Sequence, residues 1–460
     1  MLAGLSLMVC VLPQALARAQ ESTPLHLADV LRGLSDTHPV LQQAALGRKE
    51  AQAKRYGAQG AWDPLLQIDA KSVPAGYYKH ELVSARVKQA TPLWGADAYA
   101  GYSVGNGKFP VYKGDLETLS AGELRAGLEL PLWKDRAIDG ARAAIQAASA
   151  RAEGAECAER ATQLAVRRDA AIAYWNWIEA GLALDIQSDL LDVAKARVAG
   201  LEQQVELGSA PPIVSVDNMR LVLERRAKWV TAQRDFQRAS LALSLYLRDS
   251  QLRPVSPGAE RLVEVVPELD PVHHPADVVR AIKARPELCQ LEREARAAGV
   301  ELALADNQVA PSIDAHAYVA RDFGRGPDNL APTEFGVGLH FEMPLTLRKA
   351  RGQIQAAQAK ASAIAEKLRG LRDKVATQVH SARVDLDAAH QQVQIARAQK
   401  RAADLLAQAE RDKLLEGASD LVVLNLREIA AAEAARAELA AHVALHKAHV
   451  DYRTATGQGI

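Results

Sequence analysis

The chain has 460 residues, enough for two or three domains, and Lys plus Arg balances Asp plus Glu at 56 each. That balance removes any charge-based reason to expect a nucleic-acid partner. Hydrophobic residues reach 48% while aromatics are only 5%, a composition that suits helices packed through Ala, Leu and Val better than one large globular core.

Met1 to Ala19 reads as a secretory signal peptide, with an apolar core from Leu2 to Leu12 and a small-x-small pattern at Ala17-Arg18-Ala19. No Lys or Arg precedes Arg18, so either the initiator lies upstream or the signal is atypical. Cys10 falls inside the apolar core, before the cleavage site, and is not read as a lipid attachment point. Beyond the signal no run of about 18 apolar residues remains, so a membrane location would require a β-barrel. Cys157 and Cys289 both fall in helical stretches, and two free, packed thiols are expected rather than a disulfide.

A helix is expected from about Leu27 to Ala61, with Pro39 near its first turns. The period then changes to two. Leu124, Ala126, Leu128 and Leu130 alternate with Glu123, Arg125, Gly127 and Glu129, one apolar face against one polar face. Similar strands fit Leu65 to Val73, His80 to Ala90 and Ala96 to Gly105. A long proline-free helix follows from about Asp139 to Leu207, then the turn Gly208-Ser209-Ala210-Pro211-Pro212 and a shorter helix from Val214 to Arg248.

After a Pro-rich linker, 254–275, the programme repeats. Ala276-Asp277-Val278 echoes Ala28-Asp29-Val30, and Pro286 echoes Pro39. A helix over 276–307 leads to alternating strands at Ile313 to Val319 and Phe335 to Met343. The phrase Glu342-Met343-Pro344-Leu345 echoes Glu129-Leu130-Pro131-Leu132. The next helix, Arg348 to about Leu415, carries apolar residues at Ile354, Ala357, Ala361, Ile364, Leu368, Leu371 and Val375. One extra step of four reaches Val379, and the stripe resumes at Ala382, Leu386, Ala389, Val393 and Ala396. That is a heptad seam with one stutter, roughly 100 Å long at 1.5 Å per residue. The turn Gly417-Ala418-Ser419 and a last helix from Asp420 to about Thr454 complete the half.

The expected divisions are therefore the signal at 1–19, a first repeat over 20–253, the linker over 254–275 and a second repeat over 276–460. The halves differ in their strand regions, which span 67 positions from Pro64 to Pro131 but 33 from Pro311 to Pro344. Thr91-Pro92-Leu93-Trp94 also resembles Leu130-Pro131-Leu132-Trp133, so four strands are read in the first half and two in the second. Six strands cannot close a barrel alone without leaving an open edge in lipid. Several chains must contribute.

The two tandem repeats, Pro-Leu at each strand-to-helix junction, and the glycine turn before Val-x-x-x-x-(Leu/Val) resemble the TolC-like outer-membrane efflux family. The resemblance covers essentially the whole mature chain. It implies a mainly helical fold with transmembrane β-strands, a trimeric α/β barrel in the outer membrane of a Gram-negative bacterium, and a long helical tunnel in the periplasm. It implies docking by the helix-turn tips onto a periplasmic adaptor (a membrane fusion protein) and an inner-membrane pump of the RND or ABC type. The function expected is a passive exit duct of a tripartite efflux or type I secretion system; the alternative is a non-conducting coiled-coil envelope spacer or adhesion stalk. Family members commonly have four strands per chain, giving twelve, where six per chain would give eighteen. Members with a tight entrance gate carry aspartates after the second turn; here those places read Val422 and Asn425, so Asp420, Asn425 and Glu428 are the pore-entrance candidates. The docking-tip candidates are Gly208, Ser209, Gly417 and Ser419.

His442, His446 and His449 lie on one face of the last helix, where a solvated face is favoured over a zinc site. Trp175 and Trp177, near Tyr174, are expected in a helix seam, and Glu129 and Glu342 are expected to face barrel water. No nucleophile elbow, phosphate loop or Cys/His cluster is present in the sequence, and no enzyme, cofactor or metal is expected.

Overall fold

The computed structural model describes residues 23–110, 117–209, 211–269 and 278–459. The signal segment with Cys10, Ala210 of the first tip, the linker from 270 onward and Ala276-Asp277 lie outside the described residues. Nine α-helices and six strands follow in the order α1 (Leu27–Thr37), α2 (Pro39–Gln59), β1 (Leu65–Val73), β2 (His80–Ala90), β3 (Asp97–Gly107), β4 (Glu123–Pro131), α3 (Gly140–Ala196), α4 (Val198–Glu206), α5 (Ile213–Ser244), α6 (Val278–Ala284), α7 (Pro286–Asn307), β5 (Ser312–Asp322), β6 (Glu334–Glu342), α8 (Arg348–Leu415) and α9 (Leu421–Ala455), counted among the described residues.

Three expected helices are each broken in two, the long one at Arg197 between α3 and α4 and the other two at a proline. Proline's ring disfavours the helical conformation in the residue before it, so the chain turns extended at His38 (φ −79°, ψ 123°) and restarts with Pro39. Arg285 and Pro286 divide α6 from α7 in the same way. Pro is well placed at the first position of each new helix, where no N–H is needed.

The chain divides into two compact units, one of residues 1–44, 160–285 and 373–460, the other of residues 45–159 and 286–372. The first unit is helical. Its core gathers Leu25, Val30, Leu34, Leu41, Ala170, Tyr174, Trp177, Ile178, Phe236, Leu243, Val443 and Val450. Trp175 and Trp177 lie in this helix seam, as expected. The Tyr174 hydroxyl donates to the Leu25 carbonyl at 3.0 Å, while the Leu25 N–H donates to the Arg261 carbonyl. Along α8 the heptad seam is buried at Ile364 and from Val375 through Val379, Ala382, Leu386, Ala389 and Val393 to Ala396, while Ile354, Ala357, Ala361, Leu368 and Leu371 are half-buried.

The second unit holds the sheet, an antiparallel meander in the order β1-β2-β3-β4-β5-β6. Strands β4 and β5 pair from Glu123↔Asp322 to Pro131↔Asp314, although nearly two hundred residues of chain separate them. Register decides what the sheet presents, because side chains alternate with period two. Leu66 and Ile68 stand opposite Val87 and Ala85, then Ala100 and Tyr102, Leu124 and Ala126, Val319 and Ala317, Phe335 and Val337. That face is apolar and most of its large side chains are exposed. The other face carries Lys88, Arg86, Tyr99, Glu129, Arg125, His316, Tyr318, His340 and Glu342. Glu129 and Glu342 thus share the polar face, as expected.

One expectation is corrected here. Cys157 on α3 and Cys289 on α7 are not free thiols but a disulfide, with Cα atoms 5.9 Å apart. The pairing is tertiary: α7 lies along α3, with Ala147, Ala150 and Ala297 forming a small cluster and Arg151 paired with Glu301. Sequence spacing carries no trace of that alignment.

Candidate functional site

The two helix-turn tips are built alike. Gly208 (φ +71°) and Gly417 (φ +75°) occupy the left-handed conformation that a residue with a Cβ adopts only at a cost. The Gly208 N–H donates to the Val205 carbonyl and the Ser209 N–H to Gln204; Gly417 donates to Leu414 and Ala418 to Lys413. Both are the glycine helix stop in which two orphan carbonyls are satisfied by the turn. Ser209 Oγ donates to the Gln204 carbonyl and Ser419 Oγ to Glu410. Asp420 caps α9, accepting from the Val423 N–H at 2.9 Å. Leu207, Ile213, Val216, Leu415, Val422 and Leu426 near these turns are all exposed.

Of the three pore-entrance candidates, the structure brings Asn425 and Glu428 together and leaves Asp420 at its cap. Both are buried. Arg197, at the junction of α3 and α4, donates to Asn425 Oδ1 at 3.0 Å and forks onto both carboxylate oxygens of Glu428. Arg225 of α5, only 2% exposed, reaches the same carboxylate at 3.3 Å, and Arg411 of α8 lies 3.6 Å away. Burial pushes the Glu428 carboxyl up, but hydrogen bonds and charge from Arg197 and then Arg225 outweigh it and hold it below the usual carboxylate range. Burial lowers the Arg225 guanidinium, with Glu428 opposing. One carboxylate therefore ties four helical segments together.

The three arginines were missed in the sequence, though a signal was there. Asn218, Leu221 and Arg225 are spaced three and four apart on the buried stripe of α5, and Leu424 and Glu428 on that of α9. A charge in phase with an apolar stripe points inward.

The histidine face is corrected too. It is not solvated: His446 is buried, its ring stacked on Trp175 at 3.9 Å, with Nε2 against the Pro267 carbonyl at 2.8 Å. His442 lies against Arg397, and His449 is half-buried.

On the polar face of the sheet, Lys88 bridges Asp97 and Glu129 at 2.9 Å each. Arg125 forks onto Glu123 and lies 4.5 Å over the Tyr318 ring. A Cβ on Gly336 would sit 2.3 Å from Tyr318, and one on Gly338 2.1 Å from His316. These glycines are the flat places on which the rings lie. A cavity of about 730 Å³ at the helix end of this face is lined by Asp97, Glu129, Asp314, His316 and His340. No helix among the described residues is long and apolar enough to cross a membrane.

No protein-family model matches the chain, and no curated protein matches it in sequence. Solved structures do match in fold. The CmeC outer-membrane channel of Campylobacter jejuni aligns over 94% of this chain and 86% of its own, at 14% identity and a TM-score of 0.68. The outer-membrane protein VceC of Vibrio cholerae aligns over 94% and 96%, at 17% identity and a TM-score of 0.66. The open state of the MtrE outer-membrane channel of Neisseria gonorrhoeae aligns over 94% and 89%, at 16% identity and a TM-score of 0.64. These are membrane channels and outer-membrane proteins, not enzymes. The chain has the TolC-like fold of outer-membrane channels.

Proposed function

We propose that the protein is an outer-membrane exit duct of a tripartite efflux or type I secretion system, a passive channel for small molecules or proteins. The observation that carries this reading is the sheet: apolar on one face, polar on the other, with β1 and β6 each paired on one side only among the described residues. Its strands are 9 or 11 residues long, the length that crosses a bilayer when tilted. An open edge in lipid leaves backbone groups unsatisfied, so β6 of one copy pairs with β1 of the next. Three copies close an eighteen-stranded barrel with the polar face inward, and the helices extend into the periplasm. The Cys157–Cys289 bridge supports an oxidising compartment, in keeping with removal of a signal at 1–19.

In the same reading the chain is a tandem repeat, 20–253 and 276–460, joined by 254–275. The exposed apolar residues around Gly208, Ser209, Gly417 and Ser419 meet a periplasmic adaptor, which couples the duct to an inner-membrane pump. Asp420 borders the entrance, and the buried Asn425 and Glu428 hold the helices behind it. A non-conducting stalk gives the apolar sheet face nothing to bury against.

Imaging of the detergent-extracted protein, with conductance in a planar bilayer, tests this. A threefold particle with a detergent belt and discrete channel openings is expected. A solid rod without a belt, and no conductance, would leave the stalk as the answer.

A further inference from the structure

The rim of the sheet from which the helices leave carries an arrangement that the duct reading does not use. Register places the end of β2, the start of β3, the end of β4 and the end of β6 along one rim, through the pairs Ala90↔Asp97, Asp97↔Glu129, Pro131↔Asp314 and Ser312↔Glu342. Just beyond it stand Trp94 (62% exposed), Trp133 (59%) and Leu345 (102%), with Leu93 beside them.

The turns that carry Trp94 and Trp133 are held, not loose. Trp94 takes a left-handed conformation (φ 53°) in a turn closed by Thr91 N–H to the Ala96 carbonyl and Ala96 N–H to the Leu93 carbonyl. A bulky residue reaches that conformation only when its surroundings impose it. The next turn is pinned by the Asp135 N–H on Asn307 Oδ1 and by Gln308 on the Asp135 carboxylate. The two turns touch, since a Cβ on Gly95 would lie 2.7 Å from the Asp135 carbonyl.

Cations follow directly. Arg136 lies 5.8 Å over the Trp94 ring, and Arg348, Lys349 and Arg351 open α8. All four are exposed, and none has an acidic partner among the described residues. The nearby acids Asp135 and Asp139 are engaged by Gln308 and by Arg142. Cations at the N-terminus of a helix run against its dipole, so α8 gains nothing from them itself. The opposite rim mixes signs, with Lys79, Lys108, Glu117, Arg325 and Asp328.

We propose that this rim binds anionic glycerophospholipid, phosphatidylglycerol in type, with phosphates on Arg136 and on the cluster Arg348, Lys349 and Arg351, and the upper acyl chains against Leu93, Trp94, Trp133 and Leu345. Aromatic side chains settle at the headgroup level of a bilayer, and basic residues beside them attract anionic lipid. The inference rests on the sheet forming a membrane barrel.

The test reconstitutes the full protein into vesicles of phosphatidylcholine, with or without phosphatidylglycerol of the same chains, and follows flotation and thermal unfolding. A midpoint several degrees higher with phosphatidylglycerol is expected, with most of the gain lost in the R136Q/R348Q/K349Q/R351Q variant. Equal midpoints of the wild-type protein in the two lipids would overturn the proposal without requiring any variant to fold. So would a variant that keeps the whole gain, or an equal gain from inorganic phosphate in phosphatidylcholine vesicles. Failure to float with either vesicle is a different result, and it removes the barrel reading together with this one.

Discussion

Glu428 illustrates how one side chain can be worth more by its absence than by its presence. Its carboxylate is the shared anion of Arg197, Arg225 and Arg411, and Arg225 has almost no water of its own. Forming such a buried pair is near neutral, but removing one partner strands a charge at a cost of about 3–5 kcal/mol. Glu428→Gln should therefore lower the denaturant midpoint steeply, and a variant as stable as the parent would show that the cluster is not a staple. The histidines of α9 give the second residue-scale prediction. Burial lowers His446 and His449, and lowers His442 together with Arg397, while Glu438 and Glu268 pull His442 the other way. Arg453 and His390 press further on His449. A folded value below the unfolded one means the unfolded chain takes up protons first as pH falls. Stability should be full above about pH 6.5, the unfolded histidine value, and decline beneath it. Urea midpoints at a series of pH values check this, and replacing the three histidines with glutamine should flatten the decline.

At the scale of elements, the Cys157–Cys289 bond joins α3 to α7 across 132 positions of sequence. Closing so long a loop restricts the unfolded chain, and losing the bond should cost about 2–5 kcal/mol. Thermal unfolding with and without reductant measures it; an unchanged midpoint would mean the packing around Ala147 and Ala297 already suffices. The tips make the matching point for turns. Proline cannot adopt the left-handed conformation of Gly417, so Gly417→Pro should rebuild that tip and, on the proposed duct reading, abolish export while leaving trimers in the membrane. Loss of the trimer instead would refute a docking role. Much at this scale was legible in advance. The strands β1 and β2 begin and end where alternation and proline said, and α8 follows its seam from Arg348 to Leu415. Period and turn chemistry are local, and sequence displays them. The convergence of Arg197, Arg225 and Arg411 on Glu428, the cystine, and the stacking of His446 on Trp175 depend on which helix lies beside which. That information is tertiary, so His446 read as solvated and the cysteines as separate.

For the molecule as a whole, the pairing of β4 with β5 has a consequence for how the protein is made. β1 to β4 are neighbours in sequence and can assemble as successive hairpins, but the partner of β4 emerges only after five helical segments have been synthesised. Loop-closure entropy makes that seam the slowest of the five ladders to form. Until it does, a four-stranded fragment presents a raw edge and an oily face to every other nascent copy, the circumstance in which chains aggregate. A polypeptide arranged this way is exposed to aggregation for as long as β5 and β6 are unmade. A chain cut short after α5 should accordingly be found in inclusion bodies or degraded rather than as a smaller folded protein.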